Sequence, residues 1–276
     1  LAYYNLIGGL SNEVFMAIPM FIFMGYICER AGLVERLFDS LKTVVGNLYI
    51  VVIVIAVFIS LATGVVGASV TLLGIMAAPH MMRLGYNPKL TAGVIAGGGS
   101  MIMIPPSVPL IVMAPTMNLN IIDLYAGALV PGLMIAAMYM IYVSFFSRPK
   151  SFETPQYGRI LIDVLPLTFL IAMVLGSMLF GLATSTEAGA FGAFGALVLA
   201  ILNGKLFLKE ALLKTCDTTS VVMLLALASM IFGAVFTSLG GDTVVVNALN
   251  TLPIPSWALV GCILVICFLI GYPMEW

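Results

Sequence analysis

Between Leu90 and Thr116 the chain carries no charged residue, yet Pro105, Pro106 and Pro109 interrupt this apolar run near its middle. An uncharged apolar stretch of this length has the dimensions of a bilayer-spanning helix. Proline has no amide donor, and its ring collides with the carbonyl one turn earlier. A helix therefore cannot pass through Ile104-Pro105-Pro106-Ser107-Val108-Pro109 without a break. Unpaired backbone groups in hydrocarbon cost several kcal/mol each, so a broken span survives only where protein or a water-filled cavity covers it.

Composition sets the wider frame. The 276 residues are 62% hydrophobic and only 8% charged, where a soluble domain carries roughly 25% charge. The fold class expected is an all-α membrane protein, a polytopic helical bundle. A net charge of −1 gives no reason to expect nucleic acid as a partner. The chain opens at Leu1 rather than at methionine and closes on Gly271-Tyr272-Pro273-Met274-Glu275-Trp276, so it reads as an internal piece of a longer protein. Cys28, Cys216, Cys262 and Cys267 lie in or beside apolar segments without zinc-ligand spacing and read as small buried apolar residues.

Apolar segments fall near 13–28, 47–63, 64–82, 90–117, 124–147, 161–182, 186–202, 218–239 and 257–272. All eleven Lys and Arg residues sit in four links. Arg30, Arg36 and Lys42 follow the first segment, and Arg83 and Lys89 the third. Arg148, Lys150 and Arg159 follow the fifth, and Lys205, Lys209 and Lys214 the seventh. One alternating topology places all four links in the cytoplasm, with the start of the chain outside. Parity permits 47–63 and 64–82 to be two full spans or one hairpin that enters from the cytoplasm and returns. Their turn, Ala62-Thr63-Gly64-Val65-Val66-Gly67-Ala68-Ser69, is small, hydroxylated and uncharged, without the aromatic belt of an external loop. It favours the re-entrant hairpin, whose polar backbone would line a cavity at depth.

Residues 21–41 and 230–252 share a pattern: an apolar span, a glycine-containing turn, a short amphipathic stretch and then a second apolar run. Under the charge-derived topology the two copies run in opposite directions, which predicts an inverted repeat of the kind secondary transporters use. The first repeat occupies about 13–147 and a truncated second one about 161–276, within a single incomplete membrane domain. Residues 29–45 and 204–216 read as amphipathic helices on the cytoplasmic surface.

The polar atoms that remain inside are neutral. Thr63 and Ser69 offer hydroxyl oxygens, Ser100 and Ser107 flank the break, and Gly64, Gly67, Gly97, Gly98 and Gly99 allow close approach of main-chain carbonyls. The prolines free further carbonyls one turn earlier. Such an oxygen cage suits Na⁺, and half-helix N-termini near Ser69 and Ser107 suit a carboxylate. Glu13, Asp123, Asp163 and Glu187 fall near segment ends, so no intramembrane carboxylate is placed to relay protons, which favours Na⁺ over H⁺ as coupling ion. Thr184 and Glu187 have capping-box spacing. His80, the one histidine, reads as interfacial. An intramembrane aspartyl protease needs two buried Asp residues and a rhomboid-like enzyme a deep Ser/His pair; neither pattern is present, and the chain reads as a non-enzyme with no cofactor.

Residues 64–114 resemble the signature of the large membrane (DctM-like) subunit of TRAP transporters. The resemblance rests on Pro79-His80-Met81, Gly85-Tyr86, Gly93-Val94-Ile95 and Ile104-Pro105-Pro106-Ser107, with Ala17–Gly25, Thr184–Phe194 and Gly271–Trp276 similar to further family segments. Ser185 stands where the family has proline, and the Ile95–Ile104 stretch is one residue short. The resemblance implies an ion-transporter-superfamily fold working as an elevator in a bacterial or archaeal inner membrane. It also implies Na⁺-driven uptake of organic acid anions, a small membrane subunit and a periplasmic binding protein as partners. On this reading Thr63, Gly64, Gly67, Ser69, Gly99, Ser100, Ile104 and Pro105 frame a Na⁺ site, and Ser107, Gly67, Ala68 and Gly98 face the substrate carboxylate. A related symporter that works without a binding protein stands as the alternative in the same class, and a non-transporting scaffold or intramembrane enzyme as the alternative in another.

Overall fold

The computed structural model describes residues 13–63, 66–117, 119–146, 157–204, 207–251 and 255–271. Among these, every regular element is helical. They group into two compact units, one up to Leu227 and the other from Ala228.

In the larger unit, α1 (Val14–Arg30) bends by 57° into α2 (Leu33–Val44) through Gly32, whose φ is 69°. α2 is the amphipathic stretch expected from the sequence: Leu33, Val34, Leu37 and Phe38 are buried, whereas Arg36 and Asp39 are exposed. α3 (Leu48–Thr63) and α4 (Val66–Arg83) pack on one another as the two arms of the hairpin. α4 ends in a double hydrogen bond, Tyr86 N to Met81 O (3.1 Å) and Gly85 N to Met82 O (3.0 Å). This closure needs a left-handed residue, supplied by Gly85 with φ 73°. It turns the Tyr86 ring inward, edge-on to Tyr49 at 4.9 Å, where its hydroxyl accepts from Leu48 N at 3.3 Å. The Gly-Tyr pair thus ties the end of α4 to the start of α3.

α5 (Pro88–Gly98) begins at Asn87, whose side chain accepts from Lys89 N, with proline at the first helical position where its missing N–H costs nothing. A 3₁₀ turn (Gly99–Met103) follows, then an extended break through a cis Pro105–Pro106 bond, then α6 (Val108–Thr116). The expected broken helix is therefore present. About 72% of its most apolar stretch is buried inside the protein, against 17% for α7 (Ile121–Phe146). α8 (Tyr157–Leu179) and α9 (Ser185–Leu202) complete the packed part of this unit, with α9 lying along α1. Gly192 lets the two helices meet: a Cβ there would come within 2.6 Å of Met24 Sδ.

The stretch 204–216 departs from expectation. It forms no separate surface helix; from Leu208 it makes the first turns of α10, which runs unbroken to Ser238. Neither glycine nor proline occurs between Leu208 and Phe232, and Thr215 and Ser220 turn their hydroxyls back onto the carbonyls of Ala211 and Cys216. The polar run Thr215–Ser220 therefore does not break the helix. Lys209, Glu210, Lys214 and Asp217 all lie in its first third, leaving the rest uncharged.

In the smaller unit, Gly240 (φ 76°) precedes the short helix α11 (Gly241–Asn250), followed by the apolar helix α12 (Ser256–Gly271). Among the described residues, five helical segments are long and apolar enough to cross a membrane, or six with the bent pair α1–α2 taken as one span.

Candidate functional site: a buried break beside a hairpin

Hairpin and break meet directly. The 3₁₀ turn contacts α3, α4 and α7. A Cβ on Gly98 would lie 2.8 Å from Leu73 Cδ1 and 3.0 Å from Ala56 Cβ, and one on Gly99 would lie 2.8 Å from Val66 Cγ1 and 2.9 Å from Val70 Cγ2. These glycines are the thin points at which the broken helix presses into both hairpin arms. On the other side Gly132 of α7 abuts Ile104, where a Cβ would come within 2.7 Å of Ile104 Cγ1.

Burial sorts the residues singled out from the sequence. Ser69 and Ser107 are 0% and 1% exposed, and Gly98, Gly99, Ile104 and Pro105 are buried as well. Gly67 is exposed. Ser100 is exposed too, and its hydroxyl donates to Gly97 O at 2.7 Å and lies 3.4 Å from the Tyr139 hydroxyl. Thr63 and Ala68 belong to α3 and α4, but their side chains lie outside the described residues, as does Gly64 entirely.

Three further hydroxyls escaped the sequence reading. Ser60 on α3, Thr91 on α5 and Tyr125 on α7 are at most 3% exposed and, like Ser107, have no hydrogen-bond partner among the described residues. The Tyr125 hydroxyl approaches the Ser107 main chain without reaching hydrogen-bond geometry. Nothing in the sequence marks them. Ser60 is one hydroxyl in an apolar helix, and Tyr125 follows Asp123 in a segment that reads as an ordinary span. A buried hydroxyl without a partner costs about 1–3 kcal/mol, so those of Ser107 and Tyr125 beside the break mark a place that a polar guest would satisfy. The Ser107 hydroxyl is the best placed, because Ser107 is the N-cap of α6 yet makes no capping bond with its side chain.

Charge is absent from this core. Asp163 accepts from Ser40 at the α2–α8 contact, far along the chain from the break. Glu187 is held in the capping box predicted by spacing, accepting from Thr184 N at 2.8 Å while Thr184 Oγ1 accepts from Glu187 N at 3.3 Å. His80 is half-buried, with its ring edge-on to Phe38 at 6.1 Å. Among the described residues no three His, Cys, Asp or Glu side chains cluster in a way that could hold a metal ion.

Sequence comparison agrees with this architecture. A sequence model for the DctM component of the tripartite ATP-independent periplasmic transporters matches residues 1–276. The isethionate TRAP transporter permease protein DctMQ of Oleidesulfovibrio alaskensis is 27% identical over 278 residues, covering 94% of this chain and 44% of the relative. The 2,3-diketo-L-gulonate TRAP transporter large permease protein YiaN of Escherichia coli is 29% identical over 242 residues, covering 82% of this chain and 57% of the relative. The C4-dicarboxylate TRAP transporter large permease protein DctM of Pseudomonas aeruginosa is 25% identical over 282 residues, covering 96% and 66%. The chain thus spans about half to two thirds of the length of these relatives, which are named as permeases and not as enzymes. With the apolar helices already described, this makes it a multi-pass membrane protein, and it belongs to the DctM family of TRAP transporter permeases.

Proposed function

We propose that the chain forms part of the large permease subunit of a Na⁺-coupled TRAP importer of organic acid anions. The observation that carries the proposal is the Ser107 hydroxyl: buried, unpartnered and at the head of a half-helix inside the protein. An α-helix N-terminus presents free amides and a positive dipole end, to which a carboxylate is complementary. Ser107, with Gly67, Ala68 and Gly98, is assigned to the substrate. Thr63, Gly64, Gly67, Ser69, Gly99, Ser100, Ile104 and Pro105 are assigned to Na⁺, Ser100 through its main chain because its hydroxyl is turned to Gly97 and Tyr139. The donor set fits such an ion. Neutral hydroxyls and carbonyls suit a weakly held monovalent cation, whereas a tightly bound divalent ion calls for carboxylates.

Further features support the reading. α3 holds 16 residues, or about 24 Å of helix, short of a hydrocarbon core of about 30 Å, as expected of a re-entrant arm. The order of helix, left-handed glycine, short helix and apolar helix occurs twice, at α1–Gly32–α2–α3 and at α10–Gly240–α11–α12, which supports the inverted repeat. In an elevator built this way the hairpin and broken helix move together, and the flanking spans with the α2 arm form the scaffold. Relatives named for isethionate, 2,3-diketo-L-gulonate and C4-dicarboxylates support a substrate among the organic acid anions. Their shared designation as TRAP transporters supports an inner-membrane location, with a small membrane subunit and a periplasmic binding protein as partners.

The test is uptake of labelled organic acid into proteoliposomes holding the full-length protein with its small subunit and binding protein. Uptake is expected under an inward Na⁺ gradient, not under an equal K⁺ gradient, and Ser107→Ala should lower it at least tenfold. Equal uptake under both gradients, or wild-type transport by Ser107→Ala, would refute the proposal.

A further inference from the structure

A cavity of about 370 Å³ opens between α5 and α7, from Lys89 to Gly97, over a floor supplied by Ile53 of α3. Leu90, Gly93 and Val94 line one side and Tyr139, Tyr142 and Val143 the other. Gly93 keeps the groove open, since a Cβ there would meet nothing within 4 Å. Lys89 stands at the mouth, and among the described residues its ammonium group takes part in no ion pair. Lys89 lies in the first turn of α5, shortly after Arg83 at the end of α4. Basic residues at the ends of spans mark the cytoplasmic face. That leaflet carries the anionic lipids.

An apolar trough with the Lys89 ammonium at one end has the chemistry of an anionic amphiphile. We infer that this groove binds an anionic phospholipid of the cytoplasmic leaflet, with the phosphate on Lys89 and an acyl chain laid over Ile53, Leu90 and Gly93. The site lies outside the residues assigned to ion and substrate, so a lipid held here would wedge the hairpin arm α3, α5 and α7 together.

The inference is tested on the full-length protein in nanodiscs with equal phosphatidylglycerol and phosphatidylcholine of the same acyl chains, by native mass spectrometry of the retained lipid. Wild type should retain phosphatidylglycerol in preference. Lys89→Ala should reduce that preference about fivefold, the worth of one interfacial cation, and Lys89→Arg should keep it. Gly93→Leu, which fills open space, should abolish retention of either lipid. Excess inorganic phosphate should displace nothing. An unchanged preference in Lys89→Ala, unchanged retention in Gly93→Leu, or displacement by phosphate alone would each overturn the inference.

Discussion

Gly99→Ala tests how tightly the broken helix is seated in the hairpin. Gly99 has φ −62°, so alanine fits its backbone and the whole effect comes from contact. The new methyl would sit 2.8 Å from Val66 Cγ1 and 2.9 Å from Val70 Cγ2, where ordinary contact begins near 3.4 Å. Both neighbours are β-branched residues of α4, each confined to essentially one rotamer in a helix, so neither can swing aside. The arm itself has to retreat by about half an ångström, and overpacking of this kind costs about 2 kcal/mol. That corresponds to a fall in Tm of about 4–8 °C for a chain of this size. Gly93→Ala is the matched control: it meets open space and should be neutral or stabilise by about 0.5 kcal/mol through loss of unfolded-state freedom. The assay is thermal unfolding of the two full-length variants in one detergent, read by the retained monodisperse fraction. If Gly99→Ala were as stable as Gly93→Ala, the close seating of break and hairpin would be wrong.

Other consequences follow from single side chains. Ser107→Ala removes a buried hydroxyl that has no partner, so the substrate-free protein should become more stable by about 1 kcal/mol, seen as a higher Tm even as uptake falls. Tyr86→Phe keeps the edge-on contact with Tyr49 but strands Leu48 N, and should lower Tm by the equivalent of about 1 kcal/mol. Thr184→Ala dismantles the capping box, at a cost of about 1 kcal/mol. Amide hydrogen exchange in the first turn of α9 should then accelerate about fivefold, with little change elsewhere.

What the sequence disclosed follows from how local each cause is. Proline acts on its own backbone, so Pro105 and Pro106 announce the break without reference to anything else. The Gly85-Tyr86 turn and the Thr184–Glu187 box are local in the same sense. The orphaned hydroxyls are not. Burial of Ser60 and Tyr125 depends on which faces of α3 and α7 turn inward, and helices apolar all round give no periodicity from which to read it. Gly98 and Gly99 stood out as carbonyl donors, but their role as points of close approach needed Leu73, Ala56, Val66 and Val70 in place. The Ser100 hydroxyl was placed with the ion because it neighbours the break in sequence. It is satisfied instead by Gly97 one turn back, a bond that serine readily makes in helical backbone. Residues 204–216 read as a surface helix of their own; the Thr215 and Ser220 hydroxyls bond within the helix and α10 continues through them.

Na⁺ binding to the full-length protein, measured as thermal stabilisation against K⁺ at equal ionic strength, bears most directly on the uncharged oxygen cage. A ligand that binds only the folded state stabilises by RT ln(1 + [L]/Kd), so Na⁺ at ten times its Kd should add about 1.4 kcal/mol. The account expects this gain in wild type and in Ser100→Ala, whose hydroxyl is donated to Gly97 O, and its loss in Ser69→Ala. Equal stability in Na⁺ and K⁺, or an undiminished gain in Ser69→Ala, would contradict it.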